Sequence, residues 1–565
     1  MNKRRFDIIK ITIIFFVPLI LISRIFYIQI WKHKDLISHI EKQISSKLEI
    51  NIPRGDILDR NYKLLATSIE CSSVFIYSKE FLKYLNNNKS NAKINILTSL
   101  CNVSQEEIKK RCEKEKYFRL LEEISLEEAD KIKNIPGVEI KNFSKRIYIY
   151  DRILNHITGK IDKEGKAYSG VEKEFDNFLS MLKNKEITVY KGAGNKKSSI
   201  RLTSINDAIE LAEKEKNCSL VLTIDVELQK KIDKILKKYF DIYKPQRIIC
   251  LVQDPNNGEI LSANVLPYTD TPFESPFASI LYEPGSTFKV FSLAIFLEEN
   301  VIKKNTVVDC ENGVFEYNKV KIRDVKPHKS LDVEGIIVHS SNIGMAKLYL
   351  KYLNPNKFFN YLNLFGFGTL TGVELPFEVR GYVPKVDDKN YSVVTPLMVS
   401  FGQGISATLL QIVNGYSMIA NGGELLQPYI VKYIIDGNEK IVYKAEKKVI
   451  RKILSKTTTD TIKEILFKTV ERGSAKGTYL DNIKICAKTG TAQKFDFEIN
   501  KYSKTEYMMS CCGFFPMQNP QYVVGIFVDE PKKGSLASEV AVPIFKEVVL
   551  EILGNYNAIK YAKKN

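Results

Sequence analysis

The stretch YEPGSTFKVFSLAIFL, residues 282–297, decides how this chain is read. Pro284-Gly285 interrupts the backbone just ahead of an apolar run, so a helix is expected to open near Ser286. Lys289 follows three residues later, which sets the two side chains on one helical face about a turn apart. At the positive end of the helix dipole, Ser286 sits where developing negative charge is favoured. Phe288, Val290 and Phe291 make the surroundings apolar, and desolvation lowers a lysine's pKa. A neutral amine there can take the serine proton and activate an otherwise weak nucleophile. A Ser-x-x-Lys pair alone is also what an ordinary helix start beside a solvated lysine looks like.

Two further pieces lie downstream. Ser340-Ser341-Asn342 stands in HSSNIGMAKLYL, residues 339–350, ahead of a second apolar helix. Its bland reading is a helix N-cap, which serine and asparagine both favour. Lys488-Thr489-Gly490-Thr491 follows the strand-like residues 483–487, and its bland reading is a turn with an exposed lysine. Taken in order, SxxK, SxN and KTG form the set shared by penicillin-binding proteins and serine β-lactamases. Three weak signals in that order make a strong one.

Over nearly its full length the chain resembles a class B penicillin-binding protein. RGDILDRNYKLLA, residues 54–66, is similar to the RGxIxDRNGxxLA signature of that family's non-catalytic pedestal, with Tyr62 where glycine is usual. SGVEKEFDNFL, residues 169–179, resembles the GLExxYDxxL element. Residues 145–159 match a further pedestal motif loosely, Ile149 replacing its proline. LTIDVELQ (222–229), SFGQGISATLLQ (400–411), IANGG (419–423) and GFFPMQNPQYVVGIFVDEP (513–531) resemble transpeptidase-domain landmarks. Ala487 replaces the glycine common before KTG and is still small.

The resemblance implies Ser286 as acyl-accepting nucleophile and Lys289 as its base. Ser340 would relay a proton between Lys289 or Lys488 and the leaving amine, and Asn342 would hydrogen-bond the donor peptide. Lys488 would supply positive potential, while Thr489 and Thr491 would bind the substrate's terminal carboxylate beside Gly490. The N–H groups of Ser286 and Thr491 would form an oxyanion hole, a donor pair worth roughly 3–4 kcal/mol. The implied reaction is ping-pong acyl transfer. Ser286 attacks the D-Ala-D-Ala bond of a peptidoglycan stem peptide and releases D-alanine. An amine of a neighbouring stem peptide then captures the acyl-enzyme. β-Lactam antibiotics would acylate the same serine. No cofactor and no metal are expected.

Working outward, 565 residues exceed one core, so more than one folding unit is expected. Apolar content of 44% is globular. The net charge of +18 is spread over the whole chain, not gathered into a stripe, so nucleic acid is not expected as a partner. Nine cysteines without a CxxC read as small buried hydrophobes, and five histidines stand at no ligand spacing. Lys3, Arg4 and Arg5 precede an apolar run, residues 8–31, that lacks a small-x-small cleavage site. Its uncharged stretch, residues 11–23, is short for a full span, and extension through Arg24 to residue 30 completes one if Arg24 snorkels.

The expected organisation follows. Residues 1–7 form a cytoplasmic tail, 8–31 a single membrane anchor and 32–215 a mixed α/β pedestal that begins as an amphipathic stalk over 32–45. Residues 216–556 form an α/β (α+β) transpeptidase domain of the serine β-lactamase-like fold, and 557–565 a basic tail. Within it, a strand over 219–225 precedes a helix over 226–239, and a last helix covers 540–553. The catalytic part would lie outside the bacterial cytoplasmic membrane.

Alternatives of other classes stay open. A secreted β-lactamase has the three motifs but no use for a pedestal behind an anchor. A β-lactam sensor or a scaffold with dispensable catalysis is a second option, and a scaffold role can coexist with catalysis. Asn342 and the moderate length favour a septal, division-type member over the elongation type. By resemblance, a septal member would partner a lipid II-polymerising membrane glycosyltransferase and other division proteins.

Overall fold

Every residue of RIICLVQ after the first is buried, and a strand buried on both faces needs a layer on each side. In the computed structural model this strand, β1 (Arg247–Gln253), joins β2 (Ile260–Leu266), β3 (Cys486–Asp496), β4 (Lys501–Phe515) and β5 (Tyr522–Asp529). They form an antiparallel sheet in the order β3-β4-β5-β1-β2. The structure describes residues 3–32, 45–50, 53–87, 92–180, 185–190, 217–268, 274–496 and 501–562. The expected stalk and the expected boundary at 215/216 fall outside them.

The chain divides into two compact units, and the larger takes in Gly55–Ile69, Lys145–Met181 and Cys218–Asn565. Around its sheet stand α1 (Val226–Tyr243), α2 (Lys289–Glu298), α3 (Asn342–Tyr352), α4 (Leu409–Ala420), α5 (Lys456–Arg472) and α6 (Ala537–Ala562). Strand alternation sorts the two layers. Ile248, Cys250, Cys511 and Ile526 share a core with Leu228 and Ile232 of α1 and with Val540, Ile544 and Val548 of α6. Ile249, Leu251, Cys512 and Phe527 share the other core with Phe291 of α2, Val413 of α4 and Ile462 of α5. Each fully buried side chain of this kind contributes about 1.5–3 kcal/mol. The adjacent Cys511 and Cys512 thus point to opposite layers. All nine cysteines are free thiols, and all but Cys101 are buried.

Local chemistry fixes the element ends. The Asp225 carboxylate accepts from the N–H groups of Glu227 and Leu228, so the strand expected over 219–225 stops at Leu222 and its last residue caps α1. That helix runs on to Tyr243, and α6 is longer than expected at both ends, reaching Ala562.

Three of the quoted signatures meet inside this unit. Arg146 donates to Glu172 Oε1 at 2.8 Å with both side chains buried, and its Nη1 donates to the Gly55 carbonyl at 2.8 Å. Asp59 Oδ1 accepts from Asn61 N and Lys63 N at 2.8 Å each, closing the turn that carries Tyr62. Tyr62 takes φ +62°, the left-handed region where the family signature has glycine.

The smaller unit takes in Met1–Arg54, Glu70–Ser144 and Leu182–Asn217. Its core gathers Val74, Ile76, Phe81, Leu97, Ile108, Phe118 and Ile132. Helices Gln105–Lys114 and Leu126–Ile132 both open on capping boxes, Ser104 with Glu107 and Ser125 with Glu128. The N-terminal helix Lys3–Phe26 passes into a π-helical turn, Tyr27–Trp31. Among the described residues no helix is long and apolar enough to cross a membrane.

Candidate active site

Ser286 lies in a 3-10 turn, Gly285–Thr287, that leads into α2. The turn is seated from below: Tyr416 OH donates to the Thr287 carbonyl at 2.9 Å, and Phe288 packs on Phe291 and Phe367. From the side, Gly285 N donates to the Gly402 carbonyl at 2.9 Å. A Cβ on Gly402 would stand 2.1 Å from the Gly285 carbonyl, so only glycine permits that approach.

Lys289 is fully buried, and its Nζ lies 2.9 Å from Ser286 Oγ. The same nitrogen is 2.6 Å from the Ser340 carbonyl, 2.8 Å from Asn342 Oδ1 and 3.2 Å from Ser340 Oγ. Asn342 is oriented by its own amide, which donates to the Arg323 carbonyl at 2.9 Å, so its oxygen faces the lysine. A neutral amine has two N–H bonds and one lone pair. The two shortest contacts are to pure acceptors and use the two N–H bonds, which turns the lone pair towards the Ser286 hydroxyl. Burial, and next the positive charge of Lys488, push the Lys289 pKa well below its ordinary value, with Asp324 opposing. The site therefore holds a base beside a serine.

Lys488 is fully buried as well, so the reading of KTG as a turn with an exposed lysine fails. The motif lies within β3, which starts at Cys486, inside the stretch read as strand-like at 483–487. Lys488 Nζ donates to Ser340 Oγ at 2.9 Å and to the Thr489 carbonyl at 3.0 Å, and burial lowers its pKa to about 7. Ser340 Oγ is thus shared by both lysines, as a proton relay requires. Ser340 has φ +60°, a strained conformation for a non-glycine residue.

The N-cap reading of Ser-Ser-Asn holds for Ser341 alone. Ser341 caps α3, accepting from Gly344 N at 2.9 Å, while Ser340 and Asn342 on either side turn to Lys289. Asp324 was not singled out by sequence and does much of the positioning. It accepts from Ser341 Oγ at 2.5 Å, Asn342 N at 2.6 Å and Ile343 N at 3.1 Å. No motif flags it; only the folded chain sets it at that helix start.

Gly490 brings β3 against the nucleophile turn. A Cβ there would stand 2.6 Å from the Pro284 carbonyl and 2.7 Å from Ser510 Oγ. The expected oxyanion donors, on Ser286 and Thr491, thus lie on closely approaching backbones. Thr489 Oγ1 donates to Ser474 Oγ at 2.7 Å, and Thr491 Oγ1 accepts from Ala537 N at 3.0 Å, which leaves the Thr491 proton to donate. β3 ends the strand order, so among the described residues one of its edges pairs with no strand. An extended peptide can dock along such an edge. Among the described residues, no group of histidine, cysteine and carboxylate side chains could hold a metal ion.

Comparison with known proteins supplies the rest. Residues 248–550 match the penicillin binding protein transpeptidase domain, and residues 49–207 match the penicillin-binding protein dimerisation domain. Stage V sporulation protein D of Bacillus subtilis is 29% identical over 98% of this chain and 85% of its own length. A peptidoglycan D,D-transpeptidase FtsI homolog of Mesostigma viride is 29% identical over 98% of this chain and 97% of its own. Among solved structures, penicillin binding protein 2X of Streptococcus thermophilus superposes with a TM-score of 0.72 at 20% identity, covering 89% of this chain and 80% of that one. Penicillin binding protein 3 of Mycobacterium tuberculosis, complexed with aztreonam, superposes with a TM-score of 0.67 at 22% identity, covering 91% and 97%.

Proposed function

This chain belongs to the penicillin-binding protein transpeptidase family and is a peptidoglycan D,D-transpeptidase, and from that premise we propose that Ser286 carries its acyl-enzyme in septal wall synthesis. The observation that carries the assignment is the buried Lys289 amine, fixed between Ser286, Ser340 and Asn342. Lys289 takes the Ser286 proton as Oγ attacks the carbonyl of the penultimate D-alanine. The amides of Ser286 and Thr491 receive the developing oxyanion. Ser340, between the two lysines, passes the proton to the departing D-alanine nitrogen, and Lys488 with Thr491 holds the terminal carboxylate, joined by Thr489 once its hydroxyl turns from Ser474. An amine of a second stem peptide then attacks the ester along the reverse proton route, and cross-linking wins where water is kept out. β-Lactams, which resemble the donor peptide, acylate Ser286 in the same way. The fold shared with a protein solved with aztreonam bound supports that expectation.

The septal setting rests on Asn342 and the moderate chain length, and relatives named FtsI match along nearly the whole chain. Equal identity to a sporulation protein favours a second setting for the same chemistry, wall synthesis during sporulation. A null mutant that divides normally but forms no mature spores would select the latter. The helix Lys3–Phe26 alone does not make a span, and in either setting we take it together with its following turn, Arg24 snorkelling to the headgroups, as an uncleaved anchor with its amino end inside. Its described apolar side chains, among them Phe16, Leu19, Ile20 and Ile25, are all exposed, as a lipid-facing segment requires.

Incubation with penicillin should add one adduct by intact-mass spectrometry, mapped to the Ser286 peptide and lost in Ser286→Ala. Lys289→Ala should fold and acylate about 10²-fold more slowly or worse. An adduct that survives in Ser286→Ala means that the nucleophile is another residue.

A further inference from the structure

Glu283 stands three residues before Ser286 and belongs to none of the three motifs. The residue is half-buried, and its two carboxyl oxygens meet different surroundings. Oε1 accepts from Gly404 N at 2.8 Å and from Tyr502 OH at 3.0 Å. Oε2 is sealed from solvent and, among the described residues, has no hydrogen-bond partner. Burial raises the pKa to about 7, although both donors pull it down. Such a placement costs free energy and persists where the surrounding structure gains from it.

The partners of Glu283 belong to separate segments bordering the nucleophile. Gly404 follows Gly402, whose carbonyl holds Gly285 N, and Tyr282 exchanges both backbone bonds with Ala407 at 3.1 and 3.0 Å. Tyr502 lies on β4 opposite Phe495 of β3, the strand that carries Lys488 to Thr491. One oxygen thus joins the Ser286 segment, the loop on which it docks and the hairpin that holds the substrate-binding strand. The bond from Gly285 to Gly402 and the pair between Tyr282 and Ala407 tie the first two of these but do not reach the third.

We propose that Glu283 is a positioning residue for acyl transfer, locking the Ser286 segment to the β3–β4 hairpin through Gly404 N–H and Tyr502 OH. It touches no reacting atom. It sets the distance between the nucleophile and the strand that holds the substrate's carboxylate, so one bound peptide meets both in register. A carboxyl oxygen suits the task because its two lone pairs can take donors from two segments at once.

The inference rests on Ser286 being the nucleophile. Fluorescent penicillin should be used with the full chain, Glu283→Gln, Glu283→Ala and Tyr502→Phe, separating the first-order acylation constant from the dissociation constant that precedes it. Glu283→Ala should lower the first-order constant about tenfold or more, as a misplaced nucleophile does, with the dissociation constant within about twofold. Glu283→Gln keeps an oxygen for both donors and should return to within about threefold of wild type, with Tyr502→Phe in between. A wild-type rate in folded Glu283→Ala, or glutamine as slow as alanine, overturns the proposal. If Glu283→Ala does not fold, Tyr502→Phe decides, and a wild-type rate there overturns it equally. A wild-type chain that is not labelled at Ser286 refutes the nucleophile assignment instead.

Discussion

Two buried lysines that share one hydroxyl cannot both keep a proton at neutral pH without large cost. Lys289, pushed down by burial and by the charge of Lys488, gives up its proton first, as the base proposed for Ser286 must; Lys488, lowered to about 7 by burial, keeps its charge below that pH. Affinity for a carboxylate-bearing β-lactam should therefore weaken severalfold between pH 6 and pH 8 as Lys488 neutralises. A dissociation constant that is flat across that interval would mean another group holds the carboxylate. The same shift has a stability consequence. Between about 7 and the ordinary lysine value near 10.4, the unfolded chain binds the Lys488 proton and the folded chain does not, so stability rises with pH across that window. Urea midpoints should climb from pH 7 to pH 9.5 in wild type and climb less in Lys488→Met. Tyr62 is a second residue whose cost is local. Its φ of +62° costs about 1–2 kcal/mol for an L-residue, and glycine would return about 0.5–1 kcal/mol of that as unfolded-state entropy. The side chain is largely exposed, so Tyr62→Gly should stabilise the protein by about 0.5–1 kcal/mol in urea titration. A destabilised variant would mean the ring packs usefully.

At the scale of elements, the site depends on β3 lying close against the turn at Ser286. Gly490→Ala places a methyl 2.6 Å from the Pro284 carbonyl, a backbone atom that cannot rotate away. The variant should lose about 1–3 kcal/mol, the usual cost of overpacking, and acylate about tenfold more slowly or worse. Unchanged unfolding and unchanged labelling together would show that the strand has room to spare. The same contact explains which features the sequence disclosed. The helix at Lys289 was legible because apolar spacing and a Pro-Gly break are local signals, and the pairing of Ser286 with Lys289 follows from helical geometry alone. The strand position of Lys488 was misread on its bland interpretation because Lys-Thr-Gly-Thr resembles a turn until β4 pairs with it on one side. Asp324 and Glu283 were illegible for another reason. Each acts on groups brought to it by the fold, Asp324 on the first turn of α3 and Glu283 on Gly404 and Tyr502. The pattern around neither one reveals those partners. The glycine-to-tyrosine departure at residue 62 was visible, and the structure supplies its reason: the turn is closed by Asp59, and the backbone stays left-handed without glycine.

At the scale of the whole molecule, the chemistry and the anchor are separable. Ser286, Lys289, Ser340, Asn342 and Lys488 all belong to the larger unit, whose two cores are closed by its own sheet and helices. The helix Lys3–Phe26 belongs to the smaller unit, and none of its described side chains is among those cores. Removing residues 1–31 should therefore leave penicillin acylation of the shortened protein within about twofold of the full chain, since the cores that hold the site are built without the described residues of that helix. The reading of residues 8–31 as a retained anchor makes a different demand on the cell. On that reading three basic residues at positions 3–5 would hold the amino end inside, and Arg24, 5.3 Å over the Tyr27 ring, would face the outer interface. The shortened chain, if exported, should therefore leave the membrane fraction and fail to rescue a division defect even though it still binds penicillin. A fluorescent fusion of the full chain should gather at mid-cell septa. Uniform labelling of the side wall, with rescue of elongation instead of division, would move the protein to the elongation type. Rescue of division by the shortened chain would remove the anchor from the argument altogether, and the assignment of Ser286 would stand, because it rests on the buried lysine beside it.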